Sequence, residues 1–174
     1  MISTVPLDQA VGLILAHDIT EIRPGEFKGP AFRRGHQVRC RDVEHLRRLG
    51  KEHLFVLTPE PGELHEDEAA VQLAEALCGE GVGWDEPPRE GKVNLKARWP
   101  GLLKVEVEAL ARFNSVGEVM CATCHTNSLV QQGQLVAATR AIPLLIRQER
   151  VEQAVTIAGE FQGVVRVLPL QPPG

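Results

Sequence analysis

The chain has 174 residues, enough for one domain or two small ones, and a net charge of −4, which excludes a global pull on nucleic acid or acidic membrane. Hydrophobic residues make up 43% and aromatics only 4%, with no tyrosine, so any core must be built from Val, Leu, Ile and Ala. No run approaches the roughly 18 apolar residues of a membrane span, and the N-terminus lacks the basic and apolar regions of a signal peptide, which predicts a cytoplasmic protein.

In chain order, Pro6 to Ala10 predicts one turn of helix, and Val11 to Ile19 (VGLILAHDI) a largely buried strand. ITEIRPGEFKGPAF reads as loop, with Pro24-Gly25 and Gly29-Pro30 as breakers. FRRGHQV reads as a tight hairpin or as a strand kinked at Gly35. Val43, Leu46 and Leu49 recur at helical spacing and Gly50 stops the run, so a short helix is expected over 41–49. HLFVL, 53–57, predicts a strand that closes a first unit over 1–60.

A helix is expected over 64–78, with Ala69, Leu73, Ala76 and Leu77 inward and Gly79 ending it. Residues 61–90 hold nine acids against one arginine, and the Gly/Pro-rich stretch 79–90 reads as a linker with a boundary near 90. The remainder, 91–174, reads as a strand-rich subdomain. Strands are expected over 91–99, 102–107 and 118–124, with a short helix over 108–114. Leu129-Val130 and Leu135-Val136 flank QQGQ as a hairpin. AIPLLI carries a proline that suits a strand end. A last helix over 148–161 and a strand over 164–168 lead to LQPPG, which reads as a linker. No internal repeat is compelling. The fold class is α+β, strand-rich with short helices, two subdomains, β-hairpins and mixed sheets.

Several motifs carry chemistry. Cys121, Cys124 and His125 spell C-x-x-C-H, compatible with haem attachment, half a zinc site or a redox pair. Haem attachment requires export, so no haem is expected. Cys40 and Cys78 are single and far apart, and a thioredoxin-like pair should open a helix rather than sit in EVMCATC. The reading that fits best is two small apolar cysteines on a strand. His65 and Glu68 are one helical turn apart and suit a divalent cation, yet acids in a first helical turn also serve the helix dipole. No metal ligand is assigned. Lys92, Asn94, Lys96, Arg98 and Lys104 put a basic surface on two strands expected to be neighbours. His125, Thr126 and Asn127 follow a strand end, where binding groups and turn-forming groups both occur. Lys92, Asn94, His125, Thr126, Asn127 and Arg140 form the candidate polar edge for anion or cofactor contact.

The opening run VPLDQAVGLILAHDITEIRPGEFKGPAFRRGHQVRCRDVEHLRRLGKEHLFVL resembles the start of bacterial proteins related to the molybdopterin molybdotransferase (MoeA/gephyrin) family. LHEDEAA, EGKVNL, GLLKVEVEAL, HTN and TRAIPLLI continue the resemblance in order, over most of the chain. The resemblance is strongest to a divergent branch described as molybdopterin-binding proteins. There, a region like this one precedes a doubly wound domain that binds molybdopterin. It implies a scaffold in molybdenum-cofactor biosynthesis, a homodimer, and molybdopterin or molybdate as ligand. It also implies a C-terminal molybdopterin-binding domain of the same protein as partner, beyond Gly174. The family's Gly-rich catalytic motifs and its Ser-x-x-Asp-Gly pattern are missing from these residues, so no catalytic residue is carried over. Molybdotransferase-like activity is expected of a full-length protein and not of this portion alone. Two other readings stand beside it: a non-catalytic dimerisation or partner-docking module, and a cysteine-based metal or redox protein.

Overall fold

The computed structural model describes residues 1–171; Pro172, Pro173 and Gly174, part of the run read as a linker, lie outside the described residues. The fold is α+β, with four α-helices and several small antiparallel sheets among the described residues. It divides into two compact units, Met1–Pro61 and Gly62–Gly174.

The first unit contains β1 (Ile2–Pro6), a 3-10 turn (Leu7–Gln9), β2 (Ile14–Leu15), β3 (Ile19–Arg23), β4 (Phe27–Phe32), α1 (Cys40–Arg48) and β5 (His53–Leu57). β5 is central in the sheet β1-β5-β2. Its alternation buries Leu54 and Val56 and leaves His53 and Phe55 exposed. Leu7, Ala10, Leu15, Ile19, Phe32, Val38 and Leu46 complete this core. Each of the larger side chains removed from water contributes about 1.5–3 kcal/mol before entropy is counted. Asp42 organises the start of α1: its carboxylate accepts from the Arg39 N–H at 2.9 Å and pairs with His36 Nε2 at 2.7 Å. Burial works to raise the Asp42 pKa, but the His36 ring and the Arg39 amide outweigh it and hold the group below its ordinary value.

Two expectations for this unit change. The strand expected over 11–19 is broken early, because Gly12 takes φ +87° and its N–H bonds to Val38 O. Only Ile14 and Leu15 pair with β5. The stretch 19–32, expected as loop, is a hairpin in which β3 and β4 pair from Ile19↔Phe32 to Arg23↔Phe27. Pro24-Gly25 sits at its tip, and Pro30 is tolerated because a two-stranded ribbon has free edges.

The second unit contains β6 (Glu63–His65), α2 (Glu66–Leu77), β7 (Val82–Gly83), β8 (Lys92–Ala97), β9 (Gly101–Val105) and α3 (Val107–Ser115). It continues through β10 (Val119–Thr123), β11 (Leu129–Val130), β12 (Leu135–Ala141), β13 (Leu145–Arg147), α4 (Gln148–Gly159) and β14 (Val165–Pro169). The sheets run β10-β12-β8-β7, β11-β9-β14 and β13-β6. Every strand pairing among the described residues is antiparallel; only the isolated bridge Cys78↔Val165 is parallel. The inner face of α2 (Ala69, Ala70, Leu73, Ala74, Leu77) is fully buried and packs on α4, β12 and β8. Small residues let these elements approach closely, which is how a core nearly without aromatics reaches full burial.

Residues 79–90, read as a linker, belong to this unit. β7 pairs with β8, and Asp85 and Glu86 bond Arg98 and Lys96 at 2.7 and 3.0 Å. The hairpin expected around QQGQ does not form. A tight turn is present, with Gln134 N–H bonding Gln131 O, but it passes the chain from one sheet to another. β11 pairs with β9, while β12 pairs with β10 and β8.

The fold also contains a short repeat that the sequence conceals. β6-α2 and β13-α4 are each a three-residue strand running straight into a twelve-residue helix. β6 pairs with β13, centred on Leu64↔Ile146. The Glu66 N–H bonds Leu144 O at 2.9 Å, and the Gln148 N–H bonds Gly62 O at 2.8 Å, the reciprocal bond of a local two-fold. Gly81-Val82 and Gly163-Val164 follow at matching positions, both glycines with positive φ.

Candidate functional site

The polar edge expected from the sequence separates into two places. Lys92, Asn94 and Arg140 lie together on the outward face of the sheet β10-β12-β8. Lys92 stands directly opposite Arg140, Arg140 opposite Met120, Asn94 opposite Ala138, and Ala138 opposite Ala122. Lys92 and Arg140 border a shallow pocket of about 280 Å³ that Met120, Ala122, Ala138 and Thr139 also line; Asn94 is not part of its lining. The two alanines form its small-residue floor, and Met120 supplies a flexible apolar wall. Thr139 is buried, with its hydroxyl committed to Met120 O at 2.9 Å. Asn94 Oδ1 is buried without a hydrogen-bond partner among the described residues.

The charge arrangement is the informative part. The expected basic strip was wider, but Lys96 pairs with Glu86 and Arg98 with Asp85. Lys104 lies on β9, which belongs to a different sheet from β8, and its ammonium donates to Asn127 Oδ1. Lys92 and Arg140 remain exposed, and neither makes an ion pair among the described residues. Like charges directly opposite across a strand pair are destabilising, so an anion seated between them would relieve a cost built into the register.

Glu66, the first residue of α2, is a buried acid that interacts electrostatically with Arg140. Burial pushes its carboxyl above the ordinary value; His65 and Arg140 pull it down and Asp67 and Glu90 push it up, all by less. Gly91 provides the room, since a Cβ there would meet Ala141 O and the Glu66 side chain. Asp67 accepts the Gly91 N–H at 2.8 Å, and His65 Nδ1 accepts the Asp67 N–H at 3.3 Å, capping α2. The acidic first turn thus fastens the 89–92 turn to α2. Among the described residues, no group of three or more His, Cys, Asp or Glu side chains is placed to hold a metal ion.

His125, Thr126 and Asn127 do not reach the pocket. Met120 faces Arg140 at one end of β10, and the triplet begins beyond Thr123, itself roughly 10 Å along the strand. Thr126 Oγ1 accepts the Val105 N–H at 3.0 Å, and Asn127 takes φ +66° and donates its N–H to Leu103 O at 2.7 Å. Asn tolerates that left-handed conformation better than most residues. These two residues fasten the crossing from β10 to β11, and His125 is exposed beside them.

The cysteines of the C-x-x-C motif are not a pair. Cys121 is buried on β10, and burial pushes its thiol up to about 12. Cys124 lies three residues further along extended chain, exposed, roughly 10 Å away. A disulfide needs Cα atoms within about 7 Å.

The roles of Glu66, Met120, Ala122 and Ala138 were missed in the sequence. The alternation of β10 and β12 was a signal for the last three, but only the register shows that they share a floor. Residues 4–58, nearly all of the first unit, match the model of a family described as a domain of unknown function, DUF8806. No curated protein and no solved structure matches the chain. Among the described residues, no helix is long and apolar enough to cross a membrane.

Proposed function

We propose that this chain is a cytoplasmic scaffold region of a molybdenum-cofactor biosynthesis protein, molybdopterin-binding and molybdotransferase-like, acting as a homodimer. The observation that carries the reading is the Lys92–Arg140 row, two opposed exposed cations that make no ion pair among the described residues, over an alanine floor. The ordered segments shared with the molybdotransferase-like branch support it. Arg140 would grip a phosphate through its planar fork and Lys92 would act as a point charge. Asn94 would orient the ligand, and Met120 would cover a flat ring face.

Calorimetric titration with pyrophosphate, molybdate and molybdopterin tests this. The wild-type chain is expected to bind a phosphorylated ligand, and Arg140→Ala to weaken binding about tenfold, the loss of one charge-assisted contact. The thermal midpoint should barely move, because the side chain is exposed. Absence of heat with all three ligands overturns the cofactor reading. An oligomer by light scattering would then favour the docking module.

A further inference from the structure

We infer that the first unit carries its own binding pocket for a small planar anion, an aromatic or heteroaromatic ring bearing a carboxylate or phosphate. The site is a cavity of about 290 Å³ between β5 and the chain leaving β2. That is near the lower end of the range for small-molecule pockets, so it suits one ring with one charged group. Every residue lining it falls within 4–58, the stretch matched by the family of unknown function.

The floor is apolar: Leu15, Ile19 and Leu54 are all buried core residues. The rim is different in kind. His53 and Phe55 project from the open face of β5, the same alternation that sends Leu54 and Val56 inward. Ala16 N–H bonds Phe55 O, which carries the chain past the end of β2 and sets His17 beside Phe55. Their rings meet edge to face with centroids 5.7 Å apart. Lys51 comes from the turn after α1, where Gly50 takes φ +77° and the Lys51 N–H bonds Leu46 O. Thus two imidazoles, an ammonium and an exposed benzyl ring converge on one apolar floor.

Charge selects the ligand sign. Among the described residues, the side chains of Lys51 and His53 make no hydrogen bond or ion pair, and the His17 side chain makes only its ring contact with Phe55. The single carboxylate on the rim, Asp18, is already engaged by the Arg34 N–H at 2.7 Å. Donors outnumber acceptors, and Phe55, 57% exposed, offers a face on which a ring can stack. An apolar floor with a few convergent polar groups is the usual composition of a small-molecule site.

The test is an NMR titration of the whole chain with three probes: benzoate, inorganic phosphate and benzamide. Benzoate is expected to shift His17, His53 and Phe55 resonances saturably, phosphate to shift the imidazoles more weakly, and benzamide to shift none of them. Lys51→Gln should weaken benzoate binding about tenfold, and His53→Gln should weaken it as well. Both side chains are exposed, so both variants should keep the wild-type spectrum elsewhere. Arg140→Ala should leave the benzoate-induced shifts of His17, His53 and Phe55 unchanged, which separates this pocket from the site in the second unit. Absence of saturable shifts, shifts that map outside the pocket, or equal response to benzamide would overturn the proposal.

Discussion

Asn114 shows how much a single amide carries. It lies on α3, and its side chain meets the free edge of β10. Oδ1 accepts the Cys121 N–H at 2.7 Å and Nδ2 donates to Cys121 O at 3.0 Å. The amide imitates a neighbouring strand and closes an edge that could otherwise pair with another chain. Asn114→Ala leaves both backbone groups without that partner and should cost about 1–3 kcal/mol, read as a lowered midpoint in urea. A stability change within error would mean that water replaces the amide. Glu66 makes a pH-dependent prediction. Its folded-state pKa is raised by burial above 4.5, so the native state holds the proton more tightly than the unfolded chain. Stability from this group is therefore lost as pH rises from the unfolded value through the folded one. Glu66→Gln removes the titration, so the variant should gain stability relative to wild type across that window and keep the gain above it. Thermal unfolding from pH 4 to 8 checks the sign. A loss on mutation at pH 7 would mean that attraction to Arg140 and the α2 dipole outweighs burial.

The strand-helix elements of the local two-fold meet where no side chain fits. Gly163, in the turn between α4 and β14, takes φ +91°, and a Cβ there would lie 2.3 Å from Gly79 Cα. Gly163→Ala meets both a disfavoured conformation and a backbone clash, and should cost about 2–4 kcal/mol. Gly133→Ala is the matched control, because φ is +80° but nothing lies within 4 Å. It should cost about 1–2 kcal/mol, the conformational part alone. Chemical denaturation of both variants separates steric from conformational cost. Equal losses would show that the Gly79–Gly163 approach relaxes freely.

Each of the two units has its own buried cluster. One is built on Leu15, Leu46 and Val56, the other on Leu73, Leu95, Phe113 and Val167. A fragment covering 62–174 should accordingly fold alone and unfold cooperatively, with circular dichroism retaining the signals of α2, α3 and α4. A fragment without cooperative melting would mean that this cluster depends on residues 1–61.

The elements whose signal is local were legible in sequence. α2 announces itself by apolar spacing and Gly79, β5 by strict alternation, and α1 by spacing and Gly50. Their positions follow from backbone periods of 3.6 and 2 residues, which need no partner to be read. Lys92 and Arg140 were recognisable as cations, and the α+β class followed from the alternation of such segments. Which strand pairs with which was not legible. VGLILAHDI carries an apolar run, but the turn at Val11-Gly12, held by the Gly12 N–H on Val38 O, leaves only Ile14 and Leu15 to pair with β5. QQGQ has the residues of a hairpin, yet its flanks find better partners in β9 and β8. The local two-fold shares too few residue types to be seen, because packing constrains volume and φ more tightly than identity. The same reason divides the expected polar edge. Long-range register places Lys92 beside Arg140 and sends His125 to the other end of β10, and register is a property of the folded sheets rather than of any one segment.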